Sequence, residues 1–167
     1  ADEILSDQEE SSIEKRILQT FEVDRVDTLE IPKVSDIELP TSRISIPNVL
    51  KEFLSDDVEE RLNHAYGKSF PDVARALLRD FPSPPDLVAF PDSENDLKNI
   101  VDWADENNIA VVPYGGGSSV CGGVETSVSE DYGGVISLDL RNLNKILEID
   151  KESRAARIQA GILGPDL

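Results

Sequence analysis

Between Asp86 and Tyr114 the sequence changes period twice. "DLVAF" is a short apolar run, "SENDLKNIVDWADENN" places Leu97, Ile100, Val101 and Ala104 at helical spacing, and "IAVVPY" is apolar again. This is the pattern of a β-α-β unit. Ser93, followed by Asp96 at the capping-box distance, marks the helix start. A connection this short predicts parallel strands joined right-handedly. Further on, "GVISLDL", "KILEID" and "RAARIQAGI" read as three more strands with no helical run between them, so the second half is expected to be more antiparallel than doubly wound.

Upstream of the unit the pattern is of another kind. Pro82, Pro84 and Pro85 in "PSPPD" forbid helix and set a boundary, which divides the chain into residues 1–82 and 83–167. The first part is expected to be helical behind an irregular lead-in. A short helix is predicted around Ile13 to Phe21, a docking helix over "PNVLKEFL" with Val49, Leu50, Phe53 and Leu54 on one face, and a helix over "DDVEERLNHAYG" ended by Gly67. "FPDVARALLRDF" is predicted as a further helix with Val73, Leu77 and Leu78 facing inward.

The second strand of the β-α-β unit runs directly into "GGGSSVCGG". Successive glycines behind a strand let backbone N–H groups converge on an anion, with no Cβ atoms in the way. The phosphate loop of nucleoside triphosphatases requires Gly-Lys-Ser/Thr, but Gly117 is followed by Ser118 and no lysine occurs between Lys98 and Lys145. The dinucleotide fingerprint should open a helix, and no helical period follows these glycines. What survives is a grip made of amides and the hydroxyls of Ser118 and Ser119, suited to a diphosphate. The plainer alternative, a flexible surface turn, fits less well with the apolar strand in front and with Gly122 and Gly123 so close behind.

Composition removes several function classes. Thirty-four acidic residues against 16 basic ones give a net charge of −18, which opposes nucleic-acid binding through a general electrostatic surface. The single cysteine, Cys121, cannot form an internal disulfide, and no set of cysteines and histidines has zinc spacing, so no metal site is expected. No apolar run approaches the roughly 20 residues of a membrane span. A soluble, intracellular protein is expected, with nothing addressing a compartment. The opening on Ala1 and the ending "GILGPDL" suggest a piece of a longer protein.

"PPDLVAFPDSENDLKNIVDWADENNIAVVPYGGGSSVCGG" resembles the start of the FAD-binding domain (PCMH type) of the vanillyl-alcohol-oxidase flavoproteins. "ERLNHAYGKSFPDVARALLRDFPSPPDLVAFP" and "GVISLDLRNLNKILEIDKESRAARIQAGILGPDL" narrow the resemblance to the alkyldihydroxyacetonephosphate synthase family, from about Ile46 to the end. The implied fold is α+β or α/β: the first subdomain of that domain, with a parallel β-α-β unit followed by antiparallel strands, behind a helical N-terminal region. The implied cofactor is FAD, its diphosphate wrapped by Pro113, Tyr114, Gly115, Gly116, Gly117, Ser118 and Ser119. The implied enzyme exchanges the acyl chain of acyl-dihydroxyacetone phosphate for a fatty alcohol in ether-lipid synthesis, with a small-molecule or lipid substrate and a possible homodimer. Other relatives oxidise hydroxy acids such as D-lactate or glycolate, and an FAD-dependent dehydrogenase of that kind is the alternative. A non-catalytic binding module is the alternative from another class. The family's second flavin-contacting stretch and its substrate-handling residues lie beyond Leu167, so no catalytic residue is carried over and the chain alone is expected to be inactive.

Three further residues invite roles. His64, the only histidine, stands beside Tyr66 and Lys68 as a general base might, but no nucleophile or second histidine accompanies it, which favours a helix-end residue near the Gly67 stop. Cys121 stands where many relatives have serine and is expected to pack near the flavin rather than act as a catalytic thiol. Trp103 is expected to be a partly buried packing residue, and Tyr114 to contribute its backbone more than its phenol.

Overall fold

The computed structural model describes residues 5–167. Two compact units are distinguished, one up to Ile31 and one from Pro32 to Leu167. In the first, helix α1 spans Asp7–Phe21. It starts earlier than the Ile13 expected because the Ser6 amide donates to Glu9 Oε2 at 2.9 Å and the first turn carries Asp7, Glu9 and Glu10, all favourable at a helix N-terminus.

The second unit begins with extended chain and two 3-10 turns, Val34–Asp36 and Asn48–Leu50, before strand β1, Leu54–Ser55. The docking helix expected over "PNVLKEFL" is therefore not formed. Leu50 and Leu54 are buried while Val49 is 84% exposed. A tight turn followed by a strand buries those two leucines and also satisfies the open edge of the sheet, as a helix could not. Helix α2, Val58–Asn63, is capped by Asp57, whose Oδ1 accepts from the amides of Glu59 at 3.0 Å and Glu60 at 3.2 Å.

Helix α3 spans Phe70–Leu77. Its expected inward face is another correction: Val73 is 47% and Leu78 64% exposed, while Asp72 is buried. This short helix is held from its N-terminus instead. The Ser69 amide donates to Asp72 Oδ2 at 3.1 Å, the Asp72 amide to Ser69 Oγ at 3.2 Å, and Arg75 bridges Asp72 at 2.6 Å and Glu125 at 2.9 Å.

Strand β2 (Leu87–Ala89), helix α4 (Glu94–Glu106) and strand β3 (Ile109–Tyr114) form the β-α-β unit. Ser93 caps α4 by accepting from the Asp96 amide at 3.2 Å. Ile100 and Ala104 are buried, and Val101 lies nearer solvent. β2 and β3 are parallel without touching each other. Strand β4, Gly134–Asp139, lies between them and is parallel to both, giving the order β1-β2-β4-β3 with β1 antiparallel at the edge. The antiparallel expectation holds for β5 (Ile146–Asp150) and β6 (Ala155–Ile158), a separate two-stranded sheet. Every residue of β4 is buried, which explains its near-continuous apolar sequence. Leu50, Leu54, Leu87, Ile100, Ile136 and Leu138 meet in one core, and Trp103 packs partly buried against it.

A carboxylate anchors the amino ends of the strands. Asp86 accepts from the Arg43 amide at 2.7 Å, from Arg43 Nη2 at 2.6 Å and from the Val135 amide at 2.8 Å. The segment before β1 is thereby tied to β2 and β4.

Candidate functional site

The carboxyl ends of β3 and β4 create the site, where strands of a parallel sheet leave room for a ligand. Pro113 and Tyr114 are the last residues of β3, in register with Leu138 and Asp139 of β4. Gly115 to Ser119 then leave the sheet in irregular backbone, with no helix behind them. Among the described residues, the amides of Gly115, Gly116, Gly117, Ser118 and Ser119 donate to no protein acceptor. Gly115, Gly116 and Ser118 are exposed, so their donors at this strand end are open to solvent or to a ligand.

The glycines have separate reasons. A Cβ on Gly115 would meet nothing within 4 Å, so that position is open space facing outward. Gly117 has φ +65°, and a Cβ there would lie 2.1 Å from the Tyr114 hydroxyl. The Tyr114 phenol is thus the floor of the loop. It donates to the Asn63 carbonyl at 3.0 Å, and burial, then the Asp139 charge, pushes its ionisation up. The expectation that Tyr114 matters chiefly through its backbone left out this supporting side chain.

The front helices hold the loop. The Lys68 amide donates to the Ser119 carbonyl at 2.7 Å, and Gly67 lies so close that a Cβ would sit 2.1 Å from that oxygen. Ser119 Oγ accepts from the Gly123 amide at 2.9 Å, which closes the loop on the second glycine pair. Ser118 is exposed, and Cys121 is exposed with its Sγ 3.7 Å from Ser119 Oγ.

His64 does close helix α2, as its sequence position suggests, but it is 1% exposed and built into the site. Its Nε2 lies 2.8 Å from Asp139 Oδ2, its Nδ1 lies 2.7 Å from the Glu60 carbonyl, and its ring is 4.3 Å from that of Tyr114. Asp139 also accepts from the Arg141 amide and from Arg141 Nε, each at 2.8 Å. Burial alone would raise the Asp139 carboxyl; the hydrogen bonds from His64 and Arg141 outweigh it and hold the group below the ordinary carboxylate value. Asp139 and Arg141 escaped sequence reasoning. Their one signal is an acid interrupting the apolar run "GVISLDL", where a charge needs a partner.

Beside the loop lies a cleft of about 390 Å³ lined by Tyr114, Gly115, Gly116, Arg141, Asn144 and Leu163, among others. Open space at Gly115, unengaged amides and one cation on the rim, in a chain of net charge −18, fit the diphosphate of a dinucleotide.

The fold is that of an FAD-binding domain, with a glycine loop left open at the end of a parallel strand. Residues 85–167 match the FAD binding domain family, and this segment of the chain belongs to it. It is similar to the alkyldihydroxyacetonephosphate synthase of Dictyostelium discoideum, 32% identical over 88% of this chain and 24% of the relative. The synthase of Trypanosoma brucei brucei is 39% identical over 70% of this chain and 19% of its own length. A solved structure of alkyldihydroxyacetonephosphate synthase, in a P1 crystal, superposes with a TM-score of 0.72 at 30% identity, covering 84% of this chain and 28% of that one. The chain thus spans about a quarter or less of the relatives it matches. Among the described residues, no helix is long and apolar enough to cross a membrane.

Proposed function

We propose that this chain is the diphosphate-holding part of a flavoenzyme of the alkyldihydroxyacetonephosphate synthase type. The carrying observation is the run of amides from Gly115 to Ser119 that donate to no protein acceptor among the described residues. In this reading Pro113 and Tyr114 set where the loop leaves the sheet, Gly115 to Gly117 offer amides to the diphosphate oxygens, and Ser118 and Ser119 add hydroxyl donors. Bound FAD supplies the reactive flavin. The chain's own residues bind and orient it; none of them is assigned a catalytic role.

The whole protein would replace the acyl chain of acyl-dihydroxyacetone phosphate with an alkyl chain, acting on a lipid substrate, as an intracellular protein and in a homodimer. Likeness to two synthases and to a solved synthase structure supports this reading over a hydroxy-acid dehydrogenase.

The test is a titration of the ¹⁵N-labelled chain with FAD, ADP and riboflavin at up to millimolar concentration. FAD and ADP should shift the amides of Gly115 to Ser119, and riboflavin, which lacks the diphosphate, should not. Silence of those amides toward FAD and ADP would refute the reading.

A further inference from the structure

The cleft beside the glycine loop has one cation on its rim, and its side chain is held from below. Arg141 is about half exposed, its Nη2 and Nε both engage Asp139, and its guanidinium lies 5.0 Å from the centre of the Phe90 ring. Among the described residues, Arg141 Nη1 donates to no protein acceptor, although it belongs to a residue lining the cleft with Gly115 and Gly116. Asp139 in turn is held from its buried side by His64. His64 is fixed at both ring nitrogens, Nδ1 2.7 Å from the Glu60 carbonyl and Nε2 2.8 Å from Asp139 Oδ2 and 3.5 Å from Arg141 Nη2. Asp139 is thus shared between His64 and Arg141, with the Glu60 carboxylate 3.7 Å from the imidazole on its other side. Arg141 keeps donor capacity and a share of its charge for a group in the cleft.

We propose that Arg141 is an anion-binding residue of this cleft, meeting a diphosphate beside the amides of Gly115 and Gly116, and that His64 is its positioning residue, acting through Asp139. The inference rests on the diphosphate reading above and adds to it the one cationic contact that the loop lacks. Asp166, also lining the cleft, repels an anion placed away from Arg141 and narrows where it can sit. At −18 the chain offers little background attraction for a polyanion, so a local response is interpretable.

The experiment uses inorganic pyrophosphate as probe on the full chain, followed by NMR at the loop amides and at the Arg141 Nε–H resonance. Arg141→Gln should weaken pyrophosphate binding about tenfold, the worth of one hydrogen bond to a charged group. His64→Gln should weaken it several-fold in the native background and leave it unchanged in the Arg141→Gln background. A merely structural histidine would cost the same affinity in both. If Arg141→Gln binds pyrophosphate as tightly as the native chain while the loop amides still respond, the inference fails and the diphosphate reading stands. If the loop amides respond to neither pyrophosphate nor FAD, both fail.

Discussion

The amide of Lys68 donates to the carbonyl of Ser119 at 2.7 Å, across 51 residues of sequence, and so ties the turn between α2 and α3 to the far end of the glycine loop. Gly67 makes the approach possible. Gly67→Ala would put a methyl 2.1 Å from the Ser119 oxygen, a backbone atom that cannot rotate aside. Overpacking of this kind costs about 1–3 kcal/mol. The expected outcome is a lower urea midpoint together with shifted amides from Gly115 to Ser119. A variant with native midpoint and native loop shifts would show that the turn does not hold the loop.

Gly117 and Tyr114 form a second such pair. Gly117→Ala meets both a left-handed backbone, which costs about 1–2 kcal/mol without glycine, and the Tyr114 hydroxyl. Tyr114→Phe removes that hydroxyl and its bond to Asn63, a loss of about 0.5–1.5 kcal/mol. The double variant should be more stable than the sum of the single losses, because Tyr114→Phe removes the nearest of the three atoms the new methyl meets, although the ring carbon Cζ stays 2.5 Å away and keeps the relief partial. Chemical denaturation of all four proteins checks this, and strict additivity would show that the contact carries no energy.

The elements legible in the sequence were those whose signal is local. The period change from "DLVAF" through α4 to "IAVVPY" gave the β-α-β unit, and the glycines after Tyr114 gave the loop, because a strand or helix writes its period into neighbouring residues. The placement of β4 between β2 and β3 was not legible, since a 19-residue irregular connection from Gly115 to Gly133 carries no sign of the strand direction that follows. "PNVLKEFL" had helical spacing but became a turn and an edge strand, since pairing with Ala89 and Val88 outweighed local preference. His64 and Asp139, 75 residues apart, show why the supporting shell stayed hidden: a buried pair is a property of the packed sheet and helices, visible beforehand only as a lone histidine and an acid in an apolar strand.

Ser137 lies in the middle of β4, wholly buried, and its hydroxyl has no hydrogen-bond partner among the described residues. An unsatisfied buried hydroxyl costs about 1–3 kcal/mol relative to solvation, so Ser137→Ala removes a penalty along with only one small atom. The variant is expected to match or exceed native stability by up to about 1 kcal/mol. A fall in the thermal midpoint would mean that the hydroxyl bonds a group in the folded protein after all.

Asp86 supplies the pH-dependent case. Burial would raise its carboxyl, but hydrogen bonds from Arg43 and the Val135 amide outweigh it and hold the group below the ordinary value. A carboxylate depressed on folding stabilises the native state above the unfolded value of roughly 4, and the contribution is lost as pH falls through the folded value. Asp86→Asn should therefore cost about 2–3 kcal/mol at neutral pH, the worth of the charged hydrogen bonds removed. As pH falls below about 5 the gap between native and variant should narrow. Acidification also relieves the repulsion of a −18 chain, which moves both proteins alike, so the difference between their urea midpoints is the quantity to follow. A gap that stays constant from neutral to acid pH would mean that Asp86 acts through packing and not through its charge.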